Sequence, residues 1–167
     1  MCGLRWSDLD RSTRTLSITR SIASVAGGTV VKDTKTHASR RIALDDATVG
    51  VLDAQRRRLE ERAAACEVVL DPDGYVFTES ADGSKPLHPD TITGRFTRVR
   101  KQAGLDGVRL HDLRHLHATQ LLAAGVPVRT VSGRLGHANA ATTLNVYAHF
   151  LEASDRQAAE VIGGLLD

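Results

Sequence analysis

The chain is poor in cysteine, proline and aromatic residues, with two Cys, four Pro, one Trp, two Tyr and three Phe among 167 residues. Cys2 and Cys66 cannot found a disulfide framework, and neither stands at metal-ligand spacing. They read as free thiols of a reducing compartment. No apolar run approaches the roughly 20 residues that a membrane helix needs, and the N-terminus lacks the pattern of a secretory signal, so a cytoplasmic protein with no membrane partner is expected. The absence of internal repeats and low-complexity tracts leaves an ordinary globular chain. Its length fits one domain able to bury most of its apolar surface without staples.

The formal net charge is only +2, but it is unevenly spread. Nine Lys or Arg against three acids occupy residues 85–134, whereas residues 67–83 carry acids and no basic residue. A second basic cluster runs over residues 32–41. For a polyanionic partner the distribution of charge matters more than its total, and basic segments of this kind suit a phosphate backbone.

Residues 15–20 and 29–32 alternate and are rich in Thr, Ile and Val, and the small-residue stretch between them, with Gly27-Gly28, predicts that the two pair as a hairpin. Residues 39–44 give a third extended piece. Asp45-Asp46 can cap a helix over about 48–66, in which Val49, Leu52, Leu59 and Ala63 fall at near-helical spacing and Arg56 to Arg58 form a basic face. Turn signals follow at 71–74 and 82–86, around the short apolar piece 75–77. Further helices are expected over 89–103, 111–124, 127–135, 140–148 and 152–162, broken by Gly104, Gly125 and Gly136. The expected class is α+β, mainly helical with a small N-terminal antiparallel β-sheet.

Five residues toward the C-terminus carry the chemistry: His111, Arg114 and His115 in HDLRH, His137 in LGH, and Tyr147 in NVYAH. His111 and Arg114 are three apart at a helix start, so they share a face beside the partial positive charge of the helix N-terminus. An arginine fork holds two phosphate oxygens at once, and a histidine donates to an oxygen or takes a proton from an attacking hydroxyl. A tyrosine hydroxyl, with a pKa near 10, attacks phosphorus only where cations or a base activate it. The plain alternative for HDLRH is an amphipathic helix whose Leu113, Leu116, Leu121 and Leu122 face the core. A zinc helix is a poor fit, because no Glu follows His111 and no third ligand is evident. A DNA-binding regulator is a further reading, since residues 119–137 pass for helix, Gly125 turn and a second helix with Arg129 and Arg134.

Taken in order, His111-Asp-Leu-Arg114-His115, Leu135-Gly136-His137 and Tyr147 in Thr142-Thr-Leu-Asn-Val-Tyr-Ala-His149 resemble the C-terminal catalytic domain of the tyrosine recombinases, or phage-type integrases. Leu4-Arg-Trp-Ser-Asp8 and Thr34-Lys35-Thr-His-Ala-Ser-Arg-Arg41 match two further stretches of that pattern, so the resemblance spans essentially the whole chain. It implies site-specific DNA recombination through a 3′-phosphotyrosine, with Tyr147 as nucleophile and Arg114, His111 and His137 stabilising the transition state. Lys35 would be the general acid for the 5′-oxygen, and His115 would stand behind the others and orient them. Arg40, Arg41, Arg95, Arg98, Lys101, Arg129 and Arg134 are the candidate DNA contacts. The partner would be double-stranded DNA, the full-length assembly a tetramer on DNA, and the chemistry would need no cofactor, neither ATP nor a metal. A type IB topoisomerase shares the same residues and chemistry.

The family pattern also has an arginine, in Gly-x-Arg-x-x-Glu, immediately ahead of the stretch matched by residues 2–8. Arg5 is displaced from that position and does not inherit the role. Residues 1–167 are therefore expected to be a catalytic domain lacking its N-terminal part and the core DNA-binding domain, and to recombine poorly by themselves.

Overall fold

A computed structural model of the chain describes residues 2–33, 40–137 and 162–163. The chain divides into two compact units, residues 1–106 and 107–167. Among the described residues the first holds β1 (Leu9–Asp10), β2 (Thr15–Ile18), β3 (Arg20–Val25), β4 (Gly28–Asp33), β5 (Arg40–Ala43), α1 (Asp46–Ala65) and α2 (Pro89–Gln102), and the second holds α3 (Asp112–Ala123) and α4 (Val128–Leu135). Four helices and small antiparallel sheets make the expected α+β class. No helix among the described residues is long and apolar enough to cross a membrane.

In the first unit β1, β2 and β5 form an antiparallel sheet in which Leu16, opposite both Leu9 and Ile42, sets the apolar row. Asp45 starts α1 by accepting the Thr48 amide at 2.9 Å while the Thr48 hydroxyl donates to its other oxygen at 2.8 Å. Leu52 and Leu59, two turns apart, then face Trp6 and Val76, with Leu4, Leu9, Leu44, Leu70 and Phe77 packed around them. A cavity of about 340 Å³ lies in this unit, walled by Leu4, Leu16, Leu44, Leu52 and Phe77 together with Arg40. The buried Asp8 accepts from the Arg5 amide at 2.8 Å and from the Arg20 guanidinium at 3.0 Å, which ties the first residue of β3 to the single 3-10 turn Trp6–Asp8.

The second unit packs α3 on α4 through Ala118, Leu122, Val131 and Leu135, all buried, with Leu121, Val126 and Val128 around them. Leu113 and Leu116 are 44% and 54% exposed. The apolar residues of α3 therefore do not form the single core-facing stripe of a plain amphipathic helix.

The hairpin differs from the expectation. Residues 15–20 do not pair with 29–32. β2 pairs with β1 and β5, and β4 pairs instead with β3, which is built from the small-residue stretch read as a connection. Ser21, Ala23 and Ser24 have weak strand preference, but Ile22 and Val25 supply partners for Val31 and Gly28, and Gly27, at φ +85°, closes the turn. The expected helices over 140–148 and 152–162 fall almost wholly outside the described residues.

Leu59 is 4% exposed at the centre of its cluster, so Leu59→Ala should cost about 2–5 kcal/mol of unfolding free energy by urea titration. A stability unchanged within error would show that the cluster does not hold the unit. The carboxyl of Asp82 is lowered to about 2, first by the Ser80 hydroxyl and then by Ser84, and that of Asp45 is lowered by Thr48. Their folded pKa values lie below the unfolded ones, so the stability they contribute is present above about pH 4 and disappears as pH falls toward 2. Thermal melts at pH 5, 3 and 2 should show that fall, and it should be smaller in Asp82→Asn.

Candidate active site

Three helices end alike. Gly104, Gly125 and Gly136 lie in the left-handed region, and the amide after each donates five residues back: Leu105 to Arg100 at 2.9 Å, Val126 to Leu121 at 3.0 Å, and His137 to Ser132 at 3.0 Å. Such an end usually folds an apolar side chain back onto its own helix, as Val126 does against the α3–α4 cluster. After α4 the same place is taken by His137. The imidazole accepts instead from Arg114, whose Nε lies 3.0 Å from His137 Nε2.

That bond fixes both groups. With Nε2 accepting, the ring is neutral in this arrangement and its proton sits on Nδ1. The Arg114 guanidinium is in turn locked in plane on the third residue of α3. An arginine and a histidine 23 positions apart in sequence thus form one rigid, partly buried unit of hydrogen-bonding groups.

The start of α3 is built by a neighbour of the HDLRH histidines. His111 occupies the N-cap position with helical backbone angles and makes no capping bond through its side chain. Asp112 takes up the work, accepting the Arg109 amide at 2.8 Å and pairing with the Arg109 guanidinium at 2.9 Å. Arg109 holds the Asp112 carboxyl below the usual carboxylate range and is itself raised by the pairing. The exposed His111 ring stands edge to face with His115, one turn on, at 5.1 Å between centroids and 79° between planes. Composition and spacing gave Arg109 and Asp112 no part. The signal was an acid one residue into a helix, preceded by an arginine three residues earlier.

Of the sequence-predicted site residues, the structure therefore joins Arg114 to His137 and His111 to His115. Lys35 and Tyr147 lie outside the described residues. Among the candidate DNA contacts, Arg95, Arg98 and Lys101 are exposed at three-residue intervals on α2 and share one basic face. Arg129 is exposed on α4, and Arg134 is partly buried in its last turn. Arg41 is exposed and bonds Thr15 Oγ1 at 3.1 Å and Asp10 at 3.4 Å. Arg40 is partly buried against the cavity, its Nε has no partner among the described residues, and desolvation lowers its pKa. An arginine placed this way is a poorer phosphate contact than its neighbour.

The sequence profile of the phage integrase family matches residues 1–153, which covers all of these motifs. The chain belongs to the phage integrase family. Within it, the chain is 30% identical over 178 residues to the tyrosine recombinase XerC-like protein of Caldanaerobacter subterraneus subsp. tengcongensis, covering 99% of this chain and 45% of that protein. It is 28% identical over 167 residues to the ICEBs1 integrase of Bacillus subtilis strain 168, again covering 99% and 45%. Among solved structures, the Tn1549 transposon integrase in complex with transposon right end DNA superposes with a TM-score of 0.75 at 25% identity, over 97% of this chain and 53% of that one. The chain spans about half the length of the integrase relatives it matches.

A Cβ in the left-handed conformation of Gly136 costs about 1–2 kcal/mol, and Gly136→Ala should lose that much stability in thermal or urea unfolding. Gly133→Ala, inside α4 with open space at its Cβ, should be neutral or stabilising. Equal effects of the two would contradict the cap.

Proposed function

We propose that this chain is the catalytic part of a site-specific DNA recombinase that cleaves and rejoins strands through Tyr147. The observation that carries the proposal is the Arg114–His137 bond, which places a fixed guanidinium and imidazole together, in a chain that belongs to the integrase family. The Tyr147 hydroxyl attacks the scissile phosphorus and forms the phosphotyrosine as the bond to the 5′-oxygen breaks. Lys35 gives that oxygen its proton, and His111 takes the proton lost by tyrosine. Arg114 and His137 stabilise the charge that builds on the non-bridging oxygens, a role in which positioned donors usually contribute most of the rate. The phosphodiester energy is kept in the tyrosine ester, so rejoining by a 5′-hydroxyl is the same step reversed.

Double-stranded DNA is the partner this reading requires, and the Tn1549 transposon integrase is seen in complex with transposon right end DNA. The basic face of α2 suits the backbone contacts. A regulator built on α3, the Gly125 turn and α4 would also bind DNA, but it has no use for a bond that locks Arg114 to His137. The residues matching the Gly-x-Arg-x-x-Glu pattern are not among these 167, and one missing donor to a transition-state oxygen slows a reaction by roughly 10²–10³. Slow cleavage is the expectation for this chain by itself.

A nicked suicide substrate tests the chemistry. The 167-residue chain should form a small amount of covalent protein–DNA adduct, and Tyr147→Phe should form none while shifting DNA on a gel as before. An adduct that persists in Tyr147→Phe contradicts the assignment, and one that forms within seconds contradicts the expected slowness. Replacing Arg95, Arg98 and Lys101 by Ala should flatten the dependence of log K on log salt by about 0.9 for each phosphate that is no longer neutralised, read by fluorescence anisotropy. An unchanged slope would place the DNA elsewhere.

A further inference from the structure

Alternation along β5 sends its two arginines to opposite faces of the three-stranded sheet. Arg40 stands opposite Ile18, and Ile42 stands opposite Leu16, so Arg40 shares the face that carries the apolar row. Arg41, between them, is exposed. Arg40 thus lies on the wall of the cavity of about 340 Å³, together with Leu16, Leu44, Leu52 and Phe77. Two polar side chains of that wall each hold a buried atom with no hydrogen-bond partner among the described residues: Nε of Arg40 and Oγ1 of Thr19. Leaving a buried polar atom unpaired is destabilising, and native interiors seldom do so.

The charges of the wall leave one cation over. Arg20 and Asp8 also line the cavity and pair with each other at 3.0 Å. Asp8 accepts in addition from the Arg5 amide. Arg40 has no acid partner among the described residues, and burial is the one influence that moves its pKa, downward. Among the described residues the wall therefore carries a single positive charge in surplus, set beside apolar surface.

We propose that this cavity is a binding site for a small amphipathic carboxylate, with its alkyl part against Leu16, Leu44, Leu52 and Phe77 and its carboxylate on Arg40 and the Thr19 hydroxyl. An arginine fork takes both oxygens of a carboxylate, and a hydroxyl donates to one of them. A largely apolar pocket of about 300 Å³ or more with a few convergent polar groups is the ordinary form of a small-molecule site. A backbone phosphate brings the charge without an apolar body to fill the cavity, and an alkane brings the body without the charge. The site lies wholly within the first unit and does not depend on the recombination chemistry.

Decanoate, octanoate, decanol and decylamine, titrated into the 167-residue chain by calorimetry, test the site. Decanoate should bind with a Kd below about 1 mM. Octanoate, two methylenes shorter, should bind about 15-fold more weakly, at about fourfold for each buried methylene. Decanol should bind at least about tenfold more weakly than decanoate for want of the charge-assisted bond, and decylamine no more tightly than decanol. These comparisons need only the wild-type chain. In methyl NMR, decanoate should shift Leu16, Leu44 and Leu52 and leave Leu122 and Val131 of the second unit unmoved. Arg40→Met should weaken decanoate about tenfold or more without changing decanol, and Thr19→Val should weaken decanoate about two- to tenfold.

No binding of decanoate to the wild-type chain would overturn the site. Decylamine binding as tightly as decanoate, or Arg40→Met binding decanoate as well as the wild-type chain does, would show an apolar hole without recognition and overturn it too. A dimer of the chain that decanoate dissociates, read by sedimentation, would assign the cavity to a second copy. Loss of binding in a longer form that carries residues ahead of Met1 would assign it to the protein's own polypeptide, and either of these results overturns the proposal.

Discussion

Arg114 and His137 come together because α3 and α4 are clamped side by side and a left-handed glycine turns the chain back at the end of the second helix. The clamp is four buried side chains, Ala118, Leu122, Val131 and Leu135, and burying a leucine or valine contributes about 1.5–3 kcal/mol. That apolar contact fixes the distance between the helices. The turn at Gly136 fixes where His137 begins, and the Ser132 carbonyl holds its amide. The ring then meets the Arg114 guanidinium and holds it in plane. A phosphate gripped by such a pair meets donors that need not reorganise when charge develops, which is the physical content of electrostatic catalysis.

The same economy recurs elsewhere in the chain: side chains that end a helix or a strand also carry a second task. Asp112 braces the first turn of α3 and ties down Arg109, leaving His111 at the N-cap position without a capping duty. His88 caps α2 and reaches Ser24. Asp8 closes the 3-10 turn on the Arg5 amide and receives Arg20. Each is a polar group at an element boundary, where backbone amides lack partners within the element and a side chain can satisfy them.

Helix positions were legible because their stop signals are steric: Gly104, Gly125 and Gly136 each stand where the backbone turns left-handed, and α2, α3 and α4 end one or two residues before them. α1 was legible from Asp45 and the Leu52–Leu59 repeat. The strand pairing was not. β3 is made largely of Ser and Ala, whose strand preference is weak, and its identity comes from its partner, β4. The pairing of β2 with β5 joins residues some 25 positions apart, a non-local contact that no local pattern encodes. Of the site, the motifs announced Arg114, His111 and His137 as residues. The bond from Nε to Nε2 depends on helix packing, and Lys35 and Tyr147 remain assignments from the family pattern. Arg40, which the charge pattern offered as a DNA contact, proves partly buried beside a cavity, because charge counted along a sequence takes no account of burial.

The central claim is that His137 is held by Arg114 as an acceptor through Nε2. Nitrogen-15 NMR of the imidazole rings at neutral pH reads this directly. The account predicts that His137 is the neutral tautomer with its proton on Nδ1, and that Arg114→Ala returns it to the Nε2-protonated form usual for a free imidazole. Finding His137 protonated on Nε2 in the wild-type chain, or the same ring signals with and without Arg114, would contradict it.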